Sequence, residues 1–126
     1  MRGFTLIELM ITVVMVGILA LAAIPIVSSN SVNARRSEGE QLLGAARDIC
    51  RTEYARSGNS ATVAAEFNAQ VAAGGLTGKY FKVQGYSNTS SVGGMDANVS
   101  TNTTSDGTGT LDFAWESGQS GFTWAP

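Results

Sequence analysis

The first part of the chain is almost uniformly apolar. No charged residue occurs in the 19 residues from Leu9 to Val27, a run that as an α-helix is long enough to cross the hydrocarbon core of a bilayer. We therefore predict a membrane-spanning helix. A cleaved secretory signal is the alternative, but the run is longer than the usual apolar region of such a signal, and the acid Glu8 lies where a signal is basic.

A polar, amphipathic helix is predicted to continue the apolar one as far as Gly58-Asn59, which provides a stop. Its apolar face recurs at spacings of three and four residues and its charged residues fall on other faces. The apolar face comprises Leu42, Ala46, Ile49, Cys50 and Tyr54, and the other faces carry Arg47, Arg51, Glu53 and Arg56. A helix from Phe4 to about Ser57 is roughly 80 Å long, so we expect its apolar half to protrude from the domain.

Two residues weaken the apolar half of this helix. Pro25 removes a backbone donor and crowds the preceding turn, and Gly17 is a poor helix former. We expect the stretch between them to kink or unwind. A simple bend, which membrane helices tolerate, is the alternative.

Beyond Asn59 the pattern predicts a short helix and then a small sheet. Apolar residues four apart, followed by Gly74-Gly75, predict a helix over 60–73. Apolar and polar residues then alternate in three or four short stretches over 79–125. The predicted fold is α+β, with the amphipathic half of the long helix packed on an antiparallel sheet of three or four strands. The residues that define these stretches are Val63, Phe67 and Val71 for the helix, and Phe81, Val83, Met95, Ala97, Val99, Leu111, Phe113, Trp115, Phe122 and Trp124 for the strands.

Composition excludes several kinds of chemistry. The net charge of the 126 residues is −2 and no basic cluster occurs, so nucleic acid is not expected as a principal partner. There is no His, and the single Cys50 cannot form an intrachain disulfide, which excludes the usual zinc ligand sets and nucleophile–histidine pairs. We expect no catalytic activity, no cofactor and no metal. Cys50 is expected to be a small buried thiol, and the acids Asp96, Asp106 and Asp112 match no calcium loop.

The stretch "RGFTLIELM" before the apolar run resembles the N-terminus of type IV pilins and the related pseudopilins: a short basic leader ends in Gly, and Phe and then Thr-Leu-Ile-Glu-Leu follow. The resemblance implies a leader over 1–3, a transmembrane or filament-core helix over 4–27 and a globular pilin domain over 28–126. It also implies that a prepilin peptidase cleaves between Gly3 and Phe4 and that the new N-terminus at Phe4 is methylated. Arg2 is expected to hold the leader on the cytoplasmic side.

The same resemblance assigns Glu8 a role in assembly. The Phe4 amine of a neighbouring subunit, already docked in a growing filament, is expected to pair with this carboxylate. The alternative is that Glu8 reaches the lipid headgroups or bonds the amine of its own chain. Further implied partners are copies of the chain itself in a helical filament, the inner-membrane assembly platform and a cytoplasmic assembly ATPase.

The function implied is that of a structural subunit of a type IV pilus, first in the bacterial inner membrane and then in an extracellular filament used for adhesion, twitching motility, DNA uptake or a similar task. A pseudopilin of a type II secretion system is one alternative. A single-pass membrane-anchored binding domain is another, but it leaves Gly3-Phe4 and Glu8 unexplained. Many pilins staple their C-terminal region with two cysteines. This chain lacks them, so Trp115, Phe122 and Trp124 are expected to hold that region by packing.

Overall fold

The computed structural model describes residues 2–87, 94–101, 106–114 and 119–126. The fold is α+β, as predicted: two helices are followed by one antiparallel sheet. By contacts the chain divides into two compact units, Met1–Asn33 and Ala34–Pro126, here called the N-terminal unit and the C-terminal unit. The predicted boundary at residue 27, which concerns the membrane, stays a prediction. The elements are α1 (Leu6–Ser57), α2 (Ser60–Ala72), β1 (Phe81–Ser87), β2 (Gly94–Thr101), β3 (Thr108–Ala114) and β4 (Ser120–Ala125).

Helix α1 begins at Leu6, two residues after the predicted start at Phe4. The reason is that Thr5 caps the helix: its carbonyl accepts the amide of Leu9 at 3.2 Å, so Phe4 lies outside the first turn. The predicted end is confirmed. Gly58 has a φ of +65° and donates its amide to the Tyr54 carbonyl at 2.8 Å, which is how glycine commonly ends a helix.

Helix α2 is capped by Asn59, whose side chain accepts the Ala61 amide at 2.9 Å. The helix ends at Ala72, one residue before the predicted end. The predicted apolar stripe is confirmed: Val63 and Phe67 are fully buried, and Val71 packs against them from the margin of the core.

The sheet has four strands in the order β1-β2-β3-β4, and each pairs antiparallel with the next. Along β3, buried residues alternate with exposed or half-buried ones, which is the two-residue period that the sequence predicts. Strand β3 ends at Ala114. Trp115, which was expected to extend it, lies outside the described residues.

The core of the C-terminal unit lies where the polar half of α1, α2 and one face of the sheet meet. Its buried apolar residues are Leu43, Ala46, Cys50, Val63, Phe67, Leu76, Phe81, Val83, Leu111 and Phe113. Ala46 and Cys50 confirm the predicted stripe on α1, whereas Leu43 was not part of it.

The prediction that Glu53 lies on a charged outer face is wrong, because only 9% of this residue is exposed. It follows Cys50 by three residues and therefore falls on the same helix face. Both of its carboxylate oxygens accept from the Arg56 guanidinium, at 2.9 and 3.0 Å, and this pairing makes the burial of its charge tolerable.

Candidate assembly site at the N-terminus

The residues predicted to be processed lie at the exposed start of the N-terminal unit. Phe4 is 88% exposed, and a Cβ built on Gly3 would meet nothing within 4 Å. The fold of this chain therefore does not itself require glycine at position 3. An open surface cavity of about 480 Å³ is lined by these two residues together with Arg2, Thr5 and Glu8, so the predicted cleavage point and the predicted assembly acid are neighbours.

Glu8 and Thr5 form a capping box, in which each residue's side chain bonds the other's backbone amide. The Glu8 carboxylate accepts the Thr5 amide at 2.9 Å, and the Thr5 hydroxyl accepts the Glu8 amide at a longer 3.4 Å. The same hydroxyl donates to the carboxylate at 2.9 Å. The acid thus satisfies amide hydrogens that the first helical turn leaves without intrahelical partners. The sequence interpretation missed Thr5, although Thr-x-x-Glu before an apolar run is a recognised sequence pattern.

Only one of the two carboxylate oxygens of Glu8 is used. Both Thr5 donors bond Oε2, and Oε1 accepts no hydrogen bond from the part of the chain that the structure describes. A carboxylate has about four lone-pair positions. Glu8 therefore keeps acceptor capacity while it caps its own helix.

The apolar stretch that follows Glu8 has no covering in the N-terminal unit. Its large apolar side chains between Leu6 and Val27 are 50–77% exposed. Among the described residues, α1 is the one helix long and apolar enough to cross a membrane. A groove of about 250 Å³ along its first turns is lined by apolar side chains alone, those of Leu6, Leu9, Met10, Val13 and Val14.

Gly17 and Pro25 both lie inside α1, which is unbroken from Leu6 to Ser57. The expectation that the stretch between them kinks or unwinds stays a prediction. Hydroxyl groups in and near the apolar stretch are satisfied within the helix: Thr12 donates to the Leu9 carbonyl at 2.8 Å, and Ser29 donates to the Ile26 carbonyl at 3.1 Å. Neither hydroxyl is left unpaired in an apolar setting.

A second polar cluster, which the sequence interpretation missed, lies in the C-terminal unit. The Arg35 guanidinium bonds both carboxylate oxygens of Asp106, at 2.5 and 2.9 Å, and this contact raises the pKa of Arg35. Arg36 donates to the Asp106 carbonyl at 3.0 Å. Trp124 in β4 donates to Glu40 at 3.0 Å. We call these five residues the C-terminal clamp. These residues are far apart along the chain, and the sequence around Asp106 predicts only a turn. No sequence pattern therefore indicates the cluster.

The prediction that aromatic packing holds the C-terminal region can be compared with the contacts of the clamp. Trp124 fulfils it: its ring lies edge-on to Phe81 with the two centroids 5.4 Å apart, and the Arg36 guanidinium lies 5.2 Å from its ring centroid. Phe122 does not fulfil it, because 43% of this side chain is exposed. It lies on the terminal strand of the sheet, where no further strand in the described residues covers it.

The remaining candidate groups are the thiol of Cys50 and the acidic side chains. Cys50 is fully buried in the core, as predicted, and burial raises the pKa of its thiol to about 12, so it is protonated and unreactive at neutral pH. In the described ranges, no group of three or more His, Cys, Asp or Glu side chains could hold a metal ion. The absence of a cofactor and of catalytic activity stays a prediction.

Comparison with known proteins supports the N-terminal part of this interpretation. Residues 1–24 match the family described as the prokaryotic N-terminal methylation motif. No solved structure matches the chain. The match and the exposed apolar helix together define a pilin-like or pseudopilin precursor, with a class III signal peptide and a membrane-anchoring helix. The match ends before the C-terminal unit, so it leaves open the choice between a pilus and a secretion system.

Proposed function

We propose that the chain is the structural subunit of a type IV pilus, which polymerises through its N-terminal helix into an extracellular filament. A prepilin peptidase removes residues 1–3, the new Phe4 amine is methylated, and an inner-membrane platform driven by a cytoplasmic ATPase adds the subunit to the filament. The observation that carries the proposal is the combination of an apolar helix with no covering and, in its first turn, an acid with an unused carboxylate oxygen.

The geometry of the first turn suits this role before and after cleavage. The capping box uses the backbone amide of Thr5, which survives cleavage after Gly3, so helix α1 keeps its N-cap in the mature chain. Cleavage adds a cationic amine at Phe4. The amine of a neighbouring subunit can approach Oε1 of Glu8 while Oε2 stays bonded to Thr5.

Charge pairing of this kind sets the register of assembly. An ionised acid is costly in the membrane and between packed apolar helices. The apolar side chains exchange lipid for neighbouring helices, one apolar surrounding for another, so their transfer contributes little selectivity. A subunit added one step out of register leaves both its acid and a neighbour's amine without a partner. The correctly placed subunit is therefore favoured by the pairing of Glu8 with the Phe4 amine rather than by apolar packing.

The test combines mass spectrometry with one substitution. Filaments sheared from cells are expected to contain a chain that begins at methylated Phe4. Glu8→Gln keeps the shape of the side chain and an acceptor oxygen for Thr5 but removes the charge, and it is expected to lower filament number strongly while the protein remains in the membrane. Glu66→Gln is the matched control, because it removes a carboxylate from α2 whose described contact is to Gln70 at 3.0 Å.

Each result has a defined meaning. Normal filament number and length in Glu8→Gln would contradict the charge-pairing mechanism. Processed chain confined to the cell envelope, with no surface filaments, would replace the pilus by a secretion pseudopilus. An unprocessed chain that retains residues 1–3 would instead favour a membrane-anchored binding domain.

A further inference from the structure

The outer edge of strand β4 is an open strand-pairing surface. Strand β4 is the last in the sheet order, and within the described ranges no other segment pairs with its outer side. Five of its six residues are exposed. The opposite edge of the sheet differs: β1 is partly covered by its own preceding segment, because Thr77 bridges Lys82 and the Val83 amide donates to the Leu76 carbonyl at 3.0 Å.

The ladder between β3 and β4 shows which backbone groups face outward. The Ala114 amide donates to the Gln119 carbonyl at 3.0 Å, so positions 121, 123 and 125 also direct their backbone groups toward β3. By the alternation of an antiparallel ladder, the amides and carbonyls of Ser120, Phe122 and Trp124 point to the open edge. These three positions thus offer three donors and three acceptors.

Strand β4 is short, but within its six residues it lacks the charged residues and proline that often keep an edge from pairing. Its sequence, SGFTWA, contains neither a charged residue nor a proline, although lysine, proline and bulges are the devices by which edge strands avoid association. A second β4 therefore meets no like charge among the side chains of the strand itself. It also presents the same donors and acceptors in the same spacing, so an antiparallel pair of two β4 strands satisfies both edges.

We propose that β4 pairs with β4 of a second copy of this chain, antiparallel and centred on Phe122. In this register Phe122 lies opposite Phe122, and Ser120 lies opposite Trp124, so that all six outward backbone groups of each strand are used. The contact is isologous, because the same surface serves on both copies.

The area that this contact buries determines whether it forms between isolated subunits or only between filaments. Two six-residue strands bury much less than the roughly 1,200 Å² that a stable isolated complex requires, so one pair does not make a dimer in solution. Rows of subunits repeat the contact along two neighbouring filaments, and repetition raises the effective affinity without any new contact. The inference rests on the proposed filament function: β4 pairing joins filaments laterally into bundles.

Disulfide trapping tests the register. The Cα atoms of two directly opposed residues lie about 5.5 Å apart, within the range that a disulfide bridges. Phe122→Cys is therefore expected to give a covalent dimer of subunits when bundled filaments are oxidised. Thr123→Cys is the matched control: in this register its copies are offset by two residues along the strands, about 8 Å apart, and cannot be bridged. The buried Cys50 is present in both variants and in the unsubstituted chain, which provides the background.

A second pair of variants tests bundling by electron microscopy of sheared filaments. Phe122→Lys places a charge at the centre of the edge, and Thr123→Lys places the same charge on the opposite face of the strand. The expected result is single filaments of normal length for Phe122→Lys and bundles for Thr123→Lys.

The outcomes separate this inference from the proposed function. Bundles in Phe122→Lys, equal cross-linking of the two cysteine variants, or filaments of the unsubstituted chain that never bundle would each overturn β4 pairing while leaving the filament function intact. Loss of all filaments in Phe122→Lys would also overturn it, because the edge would then act within a filament. Absence of filaments from the unsubstituted chain would instead refute the filament function itself.

Discussion

Gly107 gives the sharpest test of how the C-terminal strand is held. Its φ is +98°, a region that side chains other than hydrogen rarely adopt. A Cβ at this position would overlap the carbonyl oxygen of Ala125 at the end of β4 and would lie 3.2 Å from the Arg36 guanidinium. Because the overlapping atom belongs to the backbone, no side-chain rotation relieves it. Gly107→Ala must therefore change the backbone at 107 or push the end of β4 away.

The expected cost is the sum of two parts. Holding a side chain in this backbone region costs about 1–3 kcal/mol. Displacing Ala125 breaks its ladder pairing with Thr108, at about 1 kcal/mol for the lost hydrogen bonding. The free energy of unfolding should fall by about 2–4 kcal/mol, a large share of the roughly 5–15 kcal/mol that stabilises a domain.

Gly44→Ala is the matched control, with the opposite expected sign. Gly44 lies inside α1, where a Cβ meets nothing within 4 Å, and alanine is favoured over glycine in a helix by up to about 1 kcal/mol. Guanidinium unfolding of the full chain in detergent, followed by the fluorescence of its two tryptophans, measures both variants. If Gly107→Ala unfolds at the same denaturant concentration as the unsubstituted chain, or if Gly44→Ala loses as much stability, the reasoning is refuted.

Three further predictions concern the core, the clamp and the helix start. The pKa of Cys50 is about 12 in the folded state, against an ordinary value of 9.0, so the folded state holds this proton more tightly than the unfolded state does. The free energy of unfolding that Cys50 contributes below pH 9 is therefore lost between pH 9 and pH 12, by up to about 1.4 kcal/mol per pH unit. Cys50→Ala should flatten this slope in alkaline unfolding curves, and an unchanged slope would contradict the prediction. Asp106→Asn should lower the melting temperature by several degrees more than Asp48→Asn does. The Asp106 carboxylate is nearly buried against Arg35, whereas the pair between Asp48 and Arg47 is exposed. Equal shifts of the two melting temperatures would show that the clamp contributes little to stability. Thr5→Ala should fray the first turn of α1 by about 1 kcal/mol, seen as faster amide exchange there, while Thr5→Ser should not; equal exchange in both would argue against the capping box.

Periodic patterns in the sequence predict most of this fold. The change from a period of three and four residues to a period of two places both helices, strand β1 from Phe81 and the strand around Leu111 close to their positions in the structure. The errors occur where side chains override the pattern. Thr5 moves the start of α1 because of a hydrogen bond, and Glu53 shares the buried face of Cys50, where its pair with Arg56 makes the buried charge tolerable.

The N-terminal site can be predicted from the sequence, whereas the clamp cannot. Gly3, Phe4 and Glu8 lie within six consecutive residues of the chain, so their order is visible as a motif, and the match over residues 1–24 covers the same stretch. Arg35 and Asp106 are 71 residues apart, and nothing local links them. Contacts of this kind depend on the sheet register and become visible only once the strands are in place.

The hold on the last strand has a consequence for biogenesis. Trp124 is fixed by a carboxylate, a guanidinium and an aromatic edge, and none of these contacts needs an oxidant or a thiol-exchange enzyme to form. The domain can therefore close equally well in oxidising and reducing surroundings. The same contacts are noncovalent, so opening this end of the sheet requires no bond cleavage, whereas a covalent staple would require it.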